Sequence, residues 1–278
     1  MAETLLLRRG DMTAIAQLVY EQSGIRLTEA KTALVNARLQ KRVREQGFRT
    51  FGAYVKHVRT EAGGVECHAM IDALTTNKTS FFREPGHFSF LVEHVLPEVL
   101  NRGSASIAGW SAGCATGEEP YSIVMALLNA FQGRVACTID IVASDVSPTA
   151  LATAVRGVYP LERVQNVPHE TLRRYMERGI GEQEGLTRVR DAVRRLIRFE
   201  EANLLDARIL ARQRDFIWCR NTLMYFDHAA RQQALAHLIA NLAPSGYLFV
   251  SHAENLSGLE HEHGLVRTAP AIYRRMRA

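Results

Sequence analysis

The stretch from Ser104 to Tyr121, SASIAGWSAGCATGEEPY, constrains the fold more than any other part of this 278-residue chain. Ser106-Ile107-Ala108-Gly109-Trp110 is a short apolar run that reads as a buried strand. It gives way to a loop of small residues, Ser111 to Gly117. Glu118 and Glu119 then open a helix, with Pro120 suited to its first turn, where a missing N–H costs nothing. Ile123, Val124, Leu127 and Leu128 continue at helical spacing. Strand, small-residue loop and helix together form the unit by which a doubly wound α/β sheet brings backbone close to a nucleotide. Glycine serves there because a Cβ would block the approach.

The unit departs from the dinucleotide fingerprint. Its glycines fall at 109, 113 and 117, a looser spacing than G-x-G-x-x-G. Two carboxylates at the helix start would repel a pyrophosphate, which prefers the bare positive end of a helix. A ligand without phosphates, such as the cationic sulfonium S-adenosylmethionine, matches better. Carboxylates also favour a helix start on dipole grounds alone. A rival reading comes from Gly109-Trp110-Ser111-Ala112-Gly113, which matches the G-x-S-x-G nucleophile elbow, with Asp227 and His252 in the right order to complete a triad with Ser111. The elbow demands a helix directly after its serine, and here the helix signal comes several residues later.

Charge is unevenly spread over the chain. Residues 1–60 carry 11 Lys/Arg against 5 Asp/Glu, although the whole chain is only +5. The basic N-terminal segment calls for an acidic partner. Cys67, Cys114, Cys137 and Cys219 show neither C-x-x-C nor zinc spacing; Cys137 and Cys219 sit in apolar strand-like runs and read as core thiols, which suits a reducing cytoplasm. No run is long enough for a signal peptide or a membrane span. His261-Glu262-His263 lacks a third ligand, so no metal is expected.

Residues 11 to about 75 read as four short helices, with Asp11, Thr28 and Thr50 as caps and Gly24 and Gly47 as stops. On the second helix Val35, Leu39 and Val43 form an apolar stripe, and Lys31, Arg38, Lys41 and Arg42 lie on another face. No aromatics interleave with these basic residues, which weakens a single-stranded nucleic-acid reading. Thr75 to Pro85 reads as a linker that packs onto something, followed by a helix or helix pair over 87–101. Thr138–Ser144 reads as a second strand, ending at Asp145, the position at which an acid binds ribose in nucleotide folds; a helix-cap role for Asp145 or Ser147 is the alternative. Residues 149–178 look helical and irregular. Residues 179–195 read as a small β insertion, with Leu186 to Arg190 alternating like a strand. Ile197–Glu200, Asp215–Cys219 and Tyr247–Val250 resume the sheet, the last after a Pro244-Ser245-Gly246 turn. Ile272–Met276 reads as a closing strand.

Several stretches in this order resemble the chemoreceptor glutamate methyltransferases of the CheR type: Thr76 to Glu84 (TNKTSFFRE), Gly117 to Ser122 (GEEPYS), Ser144 to Ser147 (SDVS), Asn203-Leu204, and Cys219 to Phe226 (CRNTLMYF). The resemblance runs nearly end to end. It implies a helical N-terminal domain, residues 1–75, that docks on the cytoplasmic helices of methyl-accepting receptors through Lys31, Arg38, Lys41 and Arg42. It also implies an α/β class I (Rossmann-like) methyltransferase domain, residues 76–278, with the β subdomain inserted. By that analogy Asn77, Thr79, Arg83, Glu118, Asp145, Asn203, Leu204, Arg220 and Asn221 surround S-adenosyl-L-methionine and its product S-adenosyl-L-homocysteine, with Arg83 and Tyr225 nearest the chemistry. In some relatives the β subdomain grips a receptor's C-terminal peptide, and Gly185 and Arg188 sit where that loop would be. A nucleic-acid methyltransferase would carry an N-P-P-Y-type run after the central strand, where Arg220-Asn221-Thr222-Leu223 stands. A non-catalytic adaptor would keep the basic helix and the β insert but lack donor affinity.

Overall fold

The computed structural model describes residues 5–60, 64–131, 137–207, 210–256 and 258–276. Four helices, α1 (Arg9–Ser23), α2 (Thr32–Glu45), α3 (Phe51–Thr60) and α4 (Val65–Leu74), pack their apolar stripes into one core. Ile15, Val35, Leu39, Val43, Phe51, Tyr54 and Val58 are all fully buried in it. Gly24 ends α1 in the left-handed conformation expected of it, and Thr50 caps α3 by accepting the Ala53 N–H at 3.2 Å. Asp11 is not the cap of α1. The helix begins two residues earlier, and Asp11 reaches back to accept the Arg8 N–H at 3.2 Å. α2 is preceded by a 3-10 turn over Glu29–Lys31.

The linker crosses to α5 (Pro85–Phe90), which runs through a π-helical turn (Leu91–Val95) into α6 (Leu96–Asn101). β1 (Ser106–Ala112), α7 (Glu118–Phe131), β2 (Thr138–Asp145) and α8 (Pro148–Arg156) follow as the sequence predicts. Gly109 sits mid-strand because a Cβ there would lie 2.2 Å from the Phe216 ring.

The insertion is larger than residues 179–195. Three short strands, β3 (Val158–Pro160), β4 (Met176–Arg178) and β5 (Leu186–Val189), pair antiparallel in the order β3-β5-β4, with α9 (His169–Tyr175) between the first two. Three-residue strands carry too little alternation to register in the sequence. The chain then passes through α10 (Asp191–Arg194), β6 (Ile197–Glu201), β7 (Arg214–Trp218), α11 (His228–Ala240), β8 (Leu242–Phe249), α12 (Leu259–Glu262), β9 (Leu265–Ala269) and β10 (Ile272–Arg275). Pro244-Ser245-Gly246 is not a turn before β8 but lies within it, where the β7–β8 register shifts.

The main sheet has the order β6-β2-β1-β7-β8-β10-β9, with β6, β2, β1, β7 and β8 parallel and β10 antiparallel to both its neighbours. Period-2 alternation feeds a core on each face: Phe216 and Trp218 point to one, Ile217 and Cys219 to the other. Strand order reverses between β1 and β7, so a crevice opens beyond their carboxyl ends. No disulfide joins the four cysteines. Among the described residues no helix is long and apolar enough to cross a membrane.

Candidate active site

The crevice is a hollow that opens to solvent at the strand ends. The linker supplies Asn77, Thr79 and Arg83; β2 ends in it with Asp145; Asn203 and Leu204 follow β6; and Arg220, Asn221 and Tyr225 follow β7. Four segments far apart in sequence therefore meet at the strand ends. The loop after β1 turns at Gly113, at φ +81°, where a Cβ would lie 2.4 Å from the Thr222 hydroxyl.

Asp145 is buried, and each of its oxygens accepts a backbone N–H: Ser147 at 2.9 Å and Ala115 at 2.8 Å. Burial raises its pKa, and these backbone bonds oppose the rise. The cap of α8 is Ser147, whose Oγ accepts the Ala150 N–H at 3.0 Å. Asp145 is thus free of cap duty and its edge borders the hollow. Asn77 donates to the Ser147 Oγ at 3.1 Å, and the Ser147 hydroxyl donates to Asp72 on α4.

Of the two carboxylates that open α7, Glu119 lines the hollow and Glu118 does not. The Glu118 side chain is fully buried against Arg163 and the Thr116 hydroxyl, and burial raises its pKa. The sequence points to Glu118, and the structure turns its neighbour Glu119, a rotation of about 100° further along the helix, toward the hollow. Glu119 accepts the Ser111 hydroxyl at 2.7 Å and the Arg220 Nε at 2.7 Å. The Arg220 guanidinium also donates to the Arg83 carbonyl at 2.7 Å and lies 4.5 Å over the Trp218 ring. Both side chains of this pair are almost wholly buried.

The helical domain closes one side of the hollow with Ser23, Ile25 and Thr75, a contribution no sequence pattern signalled. It is tied down there by three bonds: Arg26 N–H to the Tyr225 carbonyl at 3.0 Å, Asn203 Nδ2 to the Gln22 carbonyl at 2.9 Å, and the Tyr20 hydroxyl to Asp227 at 2.9 Å. Lys31 sits 5.5 Å over the Tyr225 ring.

The remaining basic residues of α2 diverge. The Arg38 guanidinium donates to the carbonyls of Leu74 and Thr75 at 2.9 and 2.7 Å, fastening the end of α4. Arg42 forks onto Glu66 at 2.9 and 2.6 Å, and the Tyr54 hydroxyl joins at 2.6 Å. Lys41 is exposed beside Glu45. Two of the four are thus committed inside their own domain. Gly185 and Arg188 lie on the three-stranded sheet; Gly185 turns at φ +85° and Arg188 pairs with Asp191 at 3.0 Å.

The run Gly109 to Gly113 is not a nucleophile elbow. Ser111 is fully buried inside β1 and donates to Glu119, Asp227 caps α11, and His252 stacks on His87.

The hollow fits a phosphate-free nucleoside with a charged tail. Two carboxylates, Asp145 and Glu119, border it with amides from Asn77, Asn203 and Asn221, and Ile25, Leu204 and Phe226 give it apolar wall. Glu118 and Glu119 in the first turn of α7 put negative charge where a pyrophosphate would otherwise sit.

Comparison with known proteins agrees. The family description "CheR methyltransferase, SAM binding domain" matches residues 77–272, and "CheR methyltransferase, all-alpha domain" matches residues 10–75. The chain is 38% identical to a chemotaxis protein methyltransferase of Escherichia coli over 266 residues, covering 95% of this chain and 91% of that protein. It is 37% identical to one from Salmonella typhimurium, covering 95% and 90%, and 38% identical to chemotaxis protein methyltransferase 2 of Pseudomonas aeruginosa, covering 91% and 89%. An all-alpha domain followed by a SAM-binding domain, matched over nearly the whole chain, with relatives 37–38% identical, shows that the chain belongs to the CheR methyltransferase family.

Proposed function

We propose that the protein converts glutamate side chains on the cytoplasmic helices of chemoreceptors into γ-methyl esters, working in the cytoplasm. The observation that carries this is the hollow, whose walls come from both domains and whose charged groups are the carboxylates Glu119 and Asp145 with Arg83, Arg220 and Lys78. S-adenosylmethionine, when bound, supplies a methyl group already activated by a positively charged sulfur.

A glutamate has a reference pKa of about 4.3 and is ionised at neutral pH, so the protein needs no general base. Its task is placement and exclusion of water. In-line alignment of reacting groups is worth up to about 7–11 kcal/mol in well-oriented systems. Asp145 is assigned to the ribose hydroxyls, with Asn77, Thr79, Asn203, Leu204 and Asn221 completing the donor's surroundings. Glu119, rather than Glu118, is assigned to the donor's cationic tail, held in position by Arg220. Arg83 and Tyr225, both half-buried at the hollow, orient the incoming carboxylate. Charge neutralised in the transition state gains from a site that sheds water.

Receptor docking rests on Lys31, in the turn before α2 and beside Tyr225, and on exposed Lys41 of α2. The β subdomain, with Gly185 and Arg188, is the proposed seat of a receptor C-terminal peptide. Mass spectrometry of a receptor cytoplasmic fragment after incubation with donor tests the reading. Glutamates that gain one methylene, reversed in mild base, support it; methylation of lysine, or none, contradicts it.

A further inference from the structure

Behind the hollow, beyond the residues that line it, β8 ends and the chain turns through Ser251 to Glu254. Glu254 is more than nine-tenths buried. Its Oε2 accepts the N–H groups of Asn221 and Ser251, each at 2.9 Å, and its Oε1 accepts the N–H of Met224 at 3.1 Å. An ionised carboxylate is acceptor only, so it suits three converging donors. Burial raises its pKa, and these backbone bonds pull against the rise.

The loop so gripped is the one that carries Asn221, Thr222 and Tyr225 into the hollow. Asn221 stands at φ +58°, in the left-handed region that asparagine tolerates better than most side chains. The same turn reaches the opposite wall. The Ser251 hydroxyl donates to Glu84 at 2.9 Å and accepts from Asn221 Nδ2 at 2.8 Å, and Glu84, next to Arg83, is itself at φ +57°. Two backbone positions in the left-handed region, one on each side of the hollow, thus lean on one four-residue turn.

We propose that Glu254 is a positioning residue for methyl transfer: through its bonds to the backbone of Asn221 and Met224 it sets the 221–225 loop, and so the shape of the donor pocket and the place of Tyr225, without touching either reactant. This rests on the hollow being the donor site.

Glu254→Gln tests it, because the amide keeps the volume and turns an N–H donor toward one of the backbone N–H groups. Expected are roughly tenfold or weaker S-adenosylhomocysteine binding by calorimetry, a lower kcat, and a receptor KM within about twofold of wild type. Amide hydrogen exchange should quicken in a peptide covering 220–226 and stay unchanged in β1. If the glutamine variant does not fold, Glu254→Asp, which keeps the charge but shortens its reach, is held to the same expectations. Wild-type donor affinity and kcat in a folded variant would overturn the proposal. So would exchange that quickens equally across the sheet, which marks a general loss of stability. Wild-type protein that fails to bind S-adenosylhomocysteine would instead overturn the reading of the hollow.

Discussion

Arg220 and Glu119 form an ion pair at 2.7 Å whose two side chains are 2% and 8% exposed, in the wall of the hollow. Arg220 closes the chain's central strand and Glu119 opens the helix after β1, so the pair ties the two halves of the sheet at its switch point. Truncating one member strands the other charge, which in buried pairs costs about 3–5 kcal/mol. Glu119→Ala is therefore expected to lower urea stability by an amount in that range and to weaken donor binding at the same time. A variant with full stability would show the pair to be solvated in solution.

Asp145→Ala removes the acceptor of the Ala115 and Ser147 N–H groups as well as the proposed ribose ligand. Binding of S-adenosylhomocysteine should fall at least about tenfold, the equivalent of one lost charged hydrogen bond. Calorimetry at wild-type affinity would remove Asp145 from the site.

Arg42 and Lys41 are neighbours with opposite expectations. Arg42→Ala leaves the buried Glu66 carboxylate without its fork and should cost about 1–3 kcal/mol in denaturant unfolding. Lys41→Glu should leave stability within about 0.5 kcal/mol, as surface changes do, while raising the KM for receptor. Loss of stability in Lys41→Glu, or an unchanged receptor KM, would count against Lys41 as part of a docking face.

His87 is buried beside Arg220, and burial first and that charge second lower its pKa to about 4, against the opposing pull of Glu84. In the unfolded chain the group takes a proton near pH 6.5. Between those values the unfolded state binds the extra proton, so His87's contribution to stability is complete above about pH 6.5 and falls away as pH drops toward 4. The stability of wild type minus that of His87→Gln, followed by thermal unfolding, should rise from pH 4 to 6.5 and then level. A difference that is flat across this range would show that the imidazole has its ordinary pKa when folded.

The sheet was legible because strand 106–112 and its small-residue loop carry period, composition and turn chemistry together, and because Thr138–Asp145 and Arg214–Trp218 are buried on both faces and read as apolar runs. The insertion was only partly legible: its strands at 158–160 and 176–178 are three residues long and take their conformation from pairing with β5. At the site, Asp145 after β2 and Arg220 and Asn221 after β7 could be picked out because strand ends face the crevice, whereas Asn203 and Leu204 after β6 were marked only by the family resemblance. The choice of Glu119 over Glu118 depended on helix phase relative to Ser111 and Arg220, which adjacent identical residues cannot reveal. The basic face of α2 was visible as charge, but Glu66 and the carbonyls of Leu74 and Thr75, which occupy Arg42 and Arg38, come from α4 and the linker beyond it.

The central claim is transfer of a methyl group from the donor held in this hollow to a carboxylate oxygen. Tritiated S-adenosylmethionine incubated with receptor-containing membranes and the protein tests it most directly. Label should become attached to receptor protein and leave as volatile methanol in mild base, because an ester hydrolyses there. Label that stays on protein through base, or appears in nucleic acid, would contradict the account.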